Sequence, residues 1–443
     1  MLRREREDGG GGKIERGEEA RKGAKDAKER DREVIFVAMA DTIAVAFLHQ
    51  IDPQFKSSSW LGTLGYFKEQ CERHVGSVND LGLAPINMFP YRVARRLIRK
   101  ITGKGYSFHH DPALARRYGA YYTELLRGRS YDLIFAAGAA HLVPYLETDI
   151  PIIYESDATW HVARDYYDDY TNMIDRCFHG GDELERRSIA RSSMLVYLSD
   201  WAAESAIRDY GADPGKVFVI PPGANISNPP ERESILPHRP GATIRLLLVG
   251  VSWKIKGGDI ALEALLRLLE MGYDAELTVV GCEAPAGVSH PRMRVIPFLN
   301  RRIPEERERF LNLWRQADFL IFPTRCEAAG IVCCEASAYG LPSIATRTGG
   351  VPTLVRDGIN GYTLPYEAPG DRYAEAIAGL VADPERYARL CATSRDEFEN
   401  RLNWDRWGER LAEIIGERFP HLRGRLPQRT KLQSGIAPGD PMA

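Results

Sequence analysis

Asp318-Phe-Leu-Ile-Phe-Pro-Thr-Arg-Cys-Glu-Ala-Ala-Gly-Ile-Val-Cys-Cys-Glu-Ala-Ser-Ala-Tyr-Gly340 holds a strand, a break and a helix in that order. The apolar run Phe319-Leu320-Ile321-Phe322 reads as a buried strand, which Pro323 ends. From Gly330 the pattern turns helical and stops at Gly340, with Pro342 just beyond, as a helix closing on a left-handed glycine does. The unpaired amides of Gly330, Ile331 and Val332 are then expected to face the crevice at the strand's carboxyl end, where open α/β sheets bind anions. Glu327 falls in the loop, and Glu335 is expected roughly two turns into the helix. Carboxylates do not bind phosphate, so their natural partners are hydroxyls. A phosphate cradle between two hydroxyl acceptors, with Gly349-Gly350 close behind, suits a sugar nucleotide.

Outward from this stretch the chain alternates strands and helices twice. Short apolar runs at 34–40, 132–136, 151–154, 194–199 and 217–220 make the first set, and 245–250, 276–281, 294–296, 319–322 and 343–346 the second. Two open parallel sheets covered by helices are the expected α/β result. Pro221-Pro222-Gly223 and the polar stretch to Pro240 read as the linker between domains 33–222 and 223–400. Residues 1–32, highly charged with a glycine run, and 420–443 read as tails.

Composition excludes several classes. Hydrophobic residues make up 44% of the 443, enough for two or three domains with their own cores. Lys and Arg (59) nearly balance Asp and Glu (61), so no overall field favours nucleic acid. Seven cysteines, scattered apart from Cys333-Cys334, show neither metal nor disulfide spacing, which points to a reducing cytosol. No apolar run reaches the roughly 18 residues of a membrane-spanning helix.

Cys326-Glu-Ala-Ala-Gly-Ile-Val-Cys-Cys-Glu-Ala-Ser-Ala-Tyr-Gly-Leu-Pro342, with Thr348-Gly-Gly-Val-Pro352 and Asp357-Gly-Ile-Asn-Gly-Tyr362, resembles the donor site of retaining glycosyltransferases of family 4. These are the group 1 transferases of GT-B fold. The match holds in residue type and order, whereas two glutamates eight apart would by themselves mark a solvated helix face. The resemblance implies two Rossmann-like domains whose parallel sheets face a central cleft, and a last helix, 401–419, that crosses back onto the first domain. It implies a UDP- or GDP-linked sugar as donor and transfer of a hexose to an acceptor hydroxyl with retained configuration. In that front-face attack the departing phosphate oxygen helps to deprotonate the acceptor. Glu327 is assigned to the donor sugar's hydroxyls and Glu335 to the nucleotide ribose.

The second domain's first strand leads into Ser252-Trp-Lys-Ile-Lys-Gly-Gly258, which puts Lys256 on the loop above the sheet. A lysine there neutralises a diphosphate as its bond to the sugar breaks; the other reading is a plain surface lysine. In the family an arginine often follows the strand's last glycine. Here that position is Val251, and Lys254 is the candidate replacement. Phe298, after the strand at 294–296, sits where the family packs the nucleotide base, although it also reads as a core residue. No two aspartates are separated by a single residue, so the metal clamp of the other large glycosyltransferase fold is missing and neither metal nor cofactor is expected.

The first domain is expected to bind the acceptor. A long loop after the strand at 34–40 reaches Trp60-Leu-Gly-Thr63, which opens a helix around 64–71. Gly62 and Thr63 are donor-phosphate candidates there. Tyr154-Glu-Ser-Asp-Ala-Thr-Trp160 follows a strand and resembles one branch of the family. Its Asp157 is either a catalytic group that accepts a hydrogen bond or stabilises positive charge, or a helix N-cap. Residues 91–106 carry Arg92, Arg95, Arg96, Arg99, Lys100 and Lys104 around Val93, Leu97, Ile98 and Ile101. This stretch reads as a solvated helix with its apolar side on the core, or as a peripheral contact with anionic lipid or an acidic acceptor. Two alternatives to transfer remain open: a sugar-nucleotide sensor or scaffold without catalysis, suggested by Val251 and the altered first-domain loop, and a phosphorylase- or epimerase-like enzyme on the same fold.

Overall fold

The computed structural model describes residues 42–49, 60–236 and 241–427. Twelve strands form two sheets of six. The first contains β1 (Ile43–Leu48), β2 (Gly76–Asp80), β3 (Leu133–Ala137), β4 (Ile152–Ser156), β5 (Met194–Tyr197) and β6 (Val217–Val219). The second contains β7 (Thr243–Val249), β8 (Asp274–Val280), β9 (Met293–Ile296), β10 (Phe319–Phe322), β11 (Ser343–Thr346) and β12 (Gly361–Leu364). Their orders are β2-β1-β3-β4-β5-β6 and β12-β11-β10-β7-β8-β9. Every pairing is parallel, with Val45 opposite Leu133 in one sheet and Leu320 opposite Ser343 in the other. Helices cover both faces, which is why β3, β10 and β11 are buried along their whole length rather than on alternate residues.

In each sheet the chain winds one way from a starting strand, then returns to that strand's other side. The reversal lies between β1 and β3 in the first sheet and between β7 and β10 in the second. Loops leaving the carboxyl ends of β7 and β10 are therefore neighbours, and the crevice between them is the ligand position of this architecture.

Several expectations need correction. The strand expected at 34–40 lies outside the described residues. The strand that pairs with both β2 and β3 is Ile43–Leu48, inside what reads in the sequence as loop, because the apolar run at 34–40 just before it is taken for the first strand. The helix after it spans Trp60–His74, longer at both ends than 64–71. Strands β2 and β12 escape sequence reading, since Gly76-Ser-Val-Asn-Asp80 is largely polar and Gly361–Leu364 is short. The tail expected at 420–443 is not one at its start: Pro420–Arg425 forms a 3-10 turn whose Leu422 is buried, and Arg425 binds Asp132 and the Thr42 carbonyl, while 428–443 lie outside the described residues.

Helix Trp404–Arg418 crosses back to the first domain, where Trp404, Trp407, Leu411 and Ile415 share a core with Phe47, Phe67 and Phe135. The rings of Phe67 and Trp407 lie 4.9 Å apart. The chain thus passes between domains twice. The two passages touch each other, the Ala224 amide donating to the Leu402 carbonyl at 3.1 Å. Among the described residues no helix is long and apolar enough to span a membrane.

Candidate active site

Lys256 and Glu327 meet where β7 and β10 end. After Gly250 the chain makes a short helical turn, Trp253–Lys256, capped by the Ser252 side chain, which accepts from the Ile255 amide. A β-carbon on Gly250 would lie 2.4 Å from Cγ of Lys256, so glycine is what lets the lysine fold back over the strand end. Its ammonium lies 2.5 Å from Oε2 of Glu327 and 5.3 Å from the Phe322 ring centre. The β10 loop is fastened to the β7 loop: the Thr324 hydroxyl and the Arg325 amide both donate to the Ile255 carbonyl, at 3.0 and 2.7 Å.

The cradle differs from the sequence expectation in one respect. The Gly330 amide is not unpaired, because Oε1 of Glu327 accepts from it at 3.2 Å. Ile331 and Val332 open the helix Ile331–Ala338, and their amides have no acceptor within it. Glu335 stands about one turn in rather than two. It is buried and faces Arg301, whose guanidinium is 3.3 Å from its Oε1. Burial raises the Glu335 pKa, and Arg301 partly offsets the rise. Sequence reading missed Arg301; its signal was Asn300-Arg301-Arg302 in the loop after β9. That loop also carries Phe298, 70% exposed and hence no core residue.

Gly349 and Gly350 act from behind. Added β-carbons would lie 1.9 Å from the carbonyl oxygens of Glu327 and Ala328 respectively, and the Gly350 amide donates to the Glu327 carbonyl at 3.1 Å. The pair lets the 348–350 loop press against the backbone that carries Glu327. Lys254 does not join Lys256. It is exposed, and its carboxylate partner is Asp168 of the first domain, at 3.7 Å.

Across the cleft stands Asp157, just past β4. It is not the N-cap of the following helix, Trp160–Ala163, since Thr159 occupies that position. Burial, and after it the fields of Asp157 and Glu327, push the Tyr167 hydroxyl pKa up. The preceding residue is a direct link that sequence reading also missed. The Tyr166 hydroxyl accepts from the Glu327 amide at 2.9 Å and bonds the Thr348 hydroxyl at 2.8 Å, while the Cys326 thiol donates to the Tyr166 carbonyl. Behind Asp157, Glu155 is fully buried and neither carboxyl oxygen has a hydrogen-bond partner among the described residues; burial and Asp157 raise its pKa strongly. Thr63 lies apart from this group. It is buried, with its hydroxyl 3.5 Å from the Asn225 amide nitrogen, and Asn225 in turn accepts from the Trp404 indole. Gly62 precedes it in the first turn of Trp60–His74. Among the described residues no three His, Cys, Asp or Glu side chains converge as a metal site.

Residues 243–383 match the model for glycosyl transferases group 1, and residues 79–228 that for glycosyltransferase family 4, together about two thirds of the chain. The chain belongs to this family of glycosyltransferases. D-inositol 3-phosphate glycosyltransferase 2 of Catenulispora acidiphila is 31% identical over 54% of the chain and 59% of the relative. D-inositol 3-phosphate glycosyltransferase of Thermobifida fusca is 28% identical over 68% and 73%. The chain thus spans little more than half the length of the first of these relatives. Among solved structures, sucrose-phosphate synthase of Thermosynechococcus elongatus superposes with a TM-score of 0.59 at 14% identity, covering 86% of this chain and 100% of that one. HepE of Anabaena, solved with UDP, gives 0.57 at 16% identity, covering 85% and 100%. These likenesses establish the GT-B fold.

Proposed function

We propose that the protein is a retaining, metal-independent glycosyltransferase that moves a hexose from a UDP- or GDP-linked sugar to an acceptor hydroxyl. The observation that carries this reading is the meeting of Lys256, Glu327 and the first-turn amides of Ile331 and Val332 at the reversal of the second sheet. An incoming diphosphate is a better partner for the Lys256 ammonium than Glu327 is, because it also takes the helix amides. Glu327, released from the lysine, turns to the donor's sugar hydroxyls. Glu335, held by Arg301, accepts from the ribose, and exposed Phe298 offers a face to the base. The bond from the anomeric carbon to phosphate breaks as the bond to the acceptor oxygen forms on the same face. The acceptor proton passes to the departing phosphate oxygen. Lys256 and the amides stabilise the charge that grows there, and Asp157 and Tyr167 line the acceptor side.

UDP is supported as the carrier by HepE, solved with UDP and UDP-glucose. Metal independence is supported by a phosphate position built from a cation and amides rather than from paired acids. A cytosolic setting is supported by seven cysteines that are all unpaired and buried.

A panel of nucleotide sugars in a thermal-shift assay tests the donor site. A ligand at 100 times its Kd stabilises by about 2.7 kcal/mol, and no shift with any member of the panel counts against the reading. Release of nucleoside diphosphate that requires an added acceptor identifies transfer. Tight donor binding without turnover identifies a sensor instead.

A further inference from the structure

Helix Phe89–Thr102 has no buried side chain. Tyr91, Ala94 and Ile98 rest against a small cluster formed by Tyr106, Trp160, Met173 and Cys177, and this is only one edge of the helix's apolar arc. The rest of the arc points away from the protein. Phe89, Val93, Leu97 and Ile101 are spaced by four and therefore lie along one line of the helix. Phe89 is 70%, Leu97 51% and Ile101 79% exposed.

The neighbouring lines carry Arg92, Arg96 and Lys100, then Arg95 and Arg99, and the helix contains no acid. Among the described residues none of these five cations has a carboxylate partner. Elsewhere on the surface arginines are commonly paired, as Arg127 is with Glu124, Arg187 with Glu183 and Arg315 with Glu308. An apolar ridge beside unneutralised cations is unfavourable against water, and fits a surface with negative charge outside and hydrocarbon just beneath. A nucleic acid or an acidic protein would use the cations but leave the apolar ridge wet.

We propose that this helix lies in the headgroup layer of an anionic lipid bilayer, with Phe89, Leu97 and Ile101 reaching the acyl boundary. The position of the helix extends the transferase reading, on which the following step rests. Beyond Gly103 the chain runs through Gly105, whose amide donates to the Asn172 carbonyl and whose carbonyl accepts from the Ile174 amide. Residues 172–174 end the segment that brings Tyr166 and Tyr167 to the cleft. The docking face and the acceptor wall are thus tied together by backbone hydrogen bonds, and the acceptor class this arrangement fits is a hydroxyl on a lipid-anchored molecule.

Sedimentation of the full chain with phosphatidylcholine vesicles, with and without phosphatidylglycerol, tests the proposal. Pelleting is expected only with the anionic lipid, and is expected to fade as salt rises. The double substitutions Leu97→Asp/Ile101→Asp and Arg96→Glu/Lys100→Glu are each expected to weaken partition by about tenfold or more. All four positions are exposed, so the thermal midpoint and the shift caused by nucleotide sugar should stay unchanged. Because the seven native cysteines are buried, an Ile101→Cys variant can be labelled with an environment-sensitive dye, whose emission should move to shorter wavelength on anionic vesicles. Absence of pelleting, pelleting indifferent to anionic lipid, or loss with the charge reversal but not with Leu97→Asp/Ile101→Asp would overturn the proposal, the last in favour of a soluble polyanion. Vesicle binding without any nucleotide-sugar shift would leave the docking face standing and remove the transferase reading alone.

Discussion

At the scale of single residues, Asp157 and Glu185 differ in their surroundings. Asp157 lies at the surface of the first domain's cleft wall and caps no helix. Asp157→Asn is therefore expected to leave the melting temperature unchanged while lowering turnover by about a hundredfold if its charge serves the reaction. Undiminished turnover would remove it from the mechanism. Glu185 is buried, accepting from the Tyr154 hydroxyl at 3.1 Å and the Trp160 amide at 3.3 Å, and burial pushes its pKa up to about 7. A raised acid binds its proton more tightly in the folded state. Its contribution to stability is complete below about pH 4.5, the ordinary carboxyl value, and is lost as pH rises through about 7. Glu185→Gln keeps the shape and cannot ionise. Melting curves at pH 5 and pH 8 are expected to show the wild type losing stability with rising pH and the variant losing less. Glu327, Lys256 and Glu335 were legible in the sequence because strand, loop and glycine fix their places. Arg301, Tyr166 and Glu155 were not, since their roles depend on which segments meet in space, and no local pattern records that.

At the scale of elements, the segment between Trp160 and Ile174 does what two separate domains cannot do alone. Its Tyr166 hydroxyl holds both the Glu327 amide and Thr348, and so reaches the two loops on either side of the helix Ile331–Ala338. Tyr166→Phe keeps the ring and removes both bonds. It is expected to cost about 1 kcal/mol of stability and to weaken donor binding, read as a smaller nucleotide-sugar shift. An unchanged shift would mean that Glu327 is placed by Gly349-Gly350 alone. Strands such as Phe319–Phe322 announced themselves as short apolar runs between breakers. β2 did not, because an edge strand with polar residues looks like a turn, and β1 was read as loop because a second apolar run stands close before it.

At the scale of the whole molecule, the last helix belongs to the first domain's core. Trp407 is fully buried between Phe67 and Phe135. Trp407→Ala is expected to cost about 3–5 kcal/mol, and the loss should appear in unfolding of the first domain although the residue follows the second in sequence. Proteolysis that reports on first-domain fragments would show it. A change confined to the second domain would contradict the packing. The two passages between domains also set what kind of motion is available. A single strand of chain is a tether, about which a domain swings and twists in every direction. Two strands lying side by side and bonded, Ala224 to Leu402, resemble the paired knuckles of a door: they suppress twisting and sideways slip and leave one axis of rotation. A cleft that opened on this pair would part Tyr166 from Glu327 and bring the two back along one path, with the same alignment of the walls at each closure.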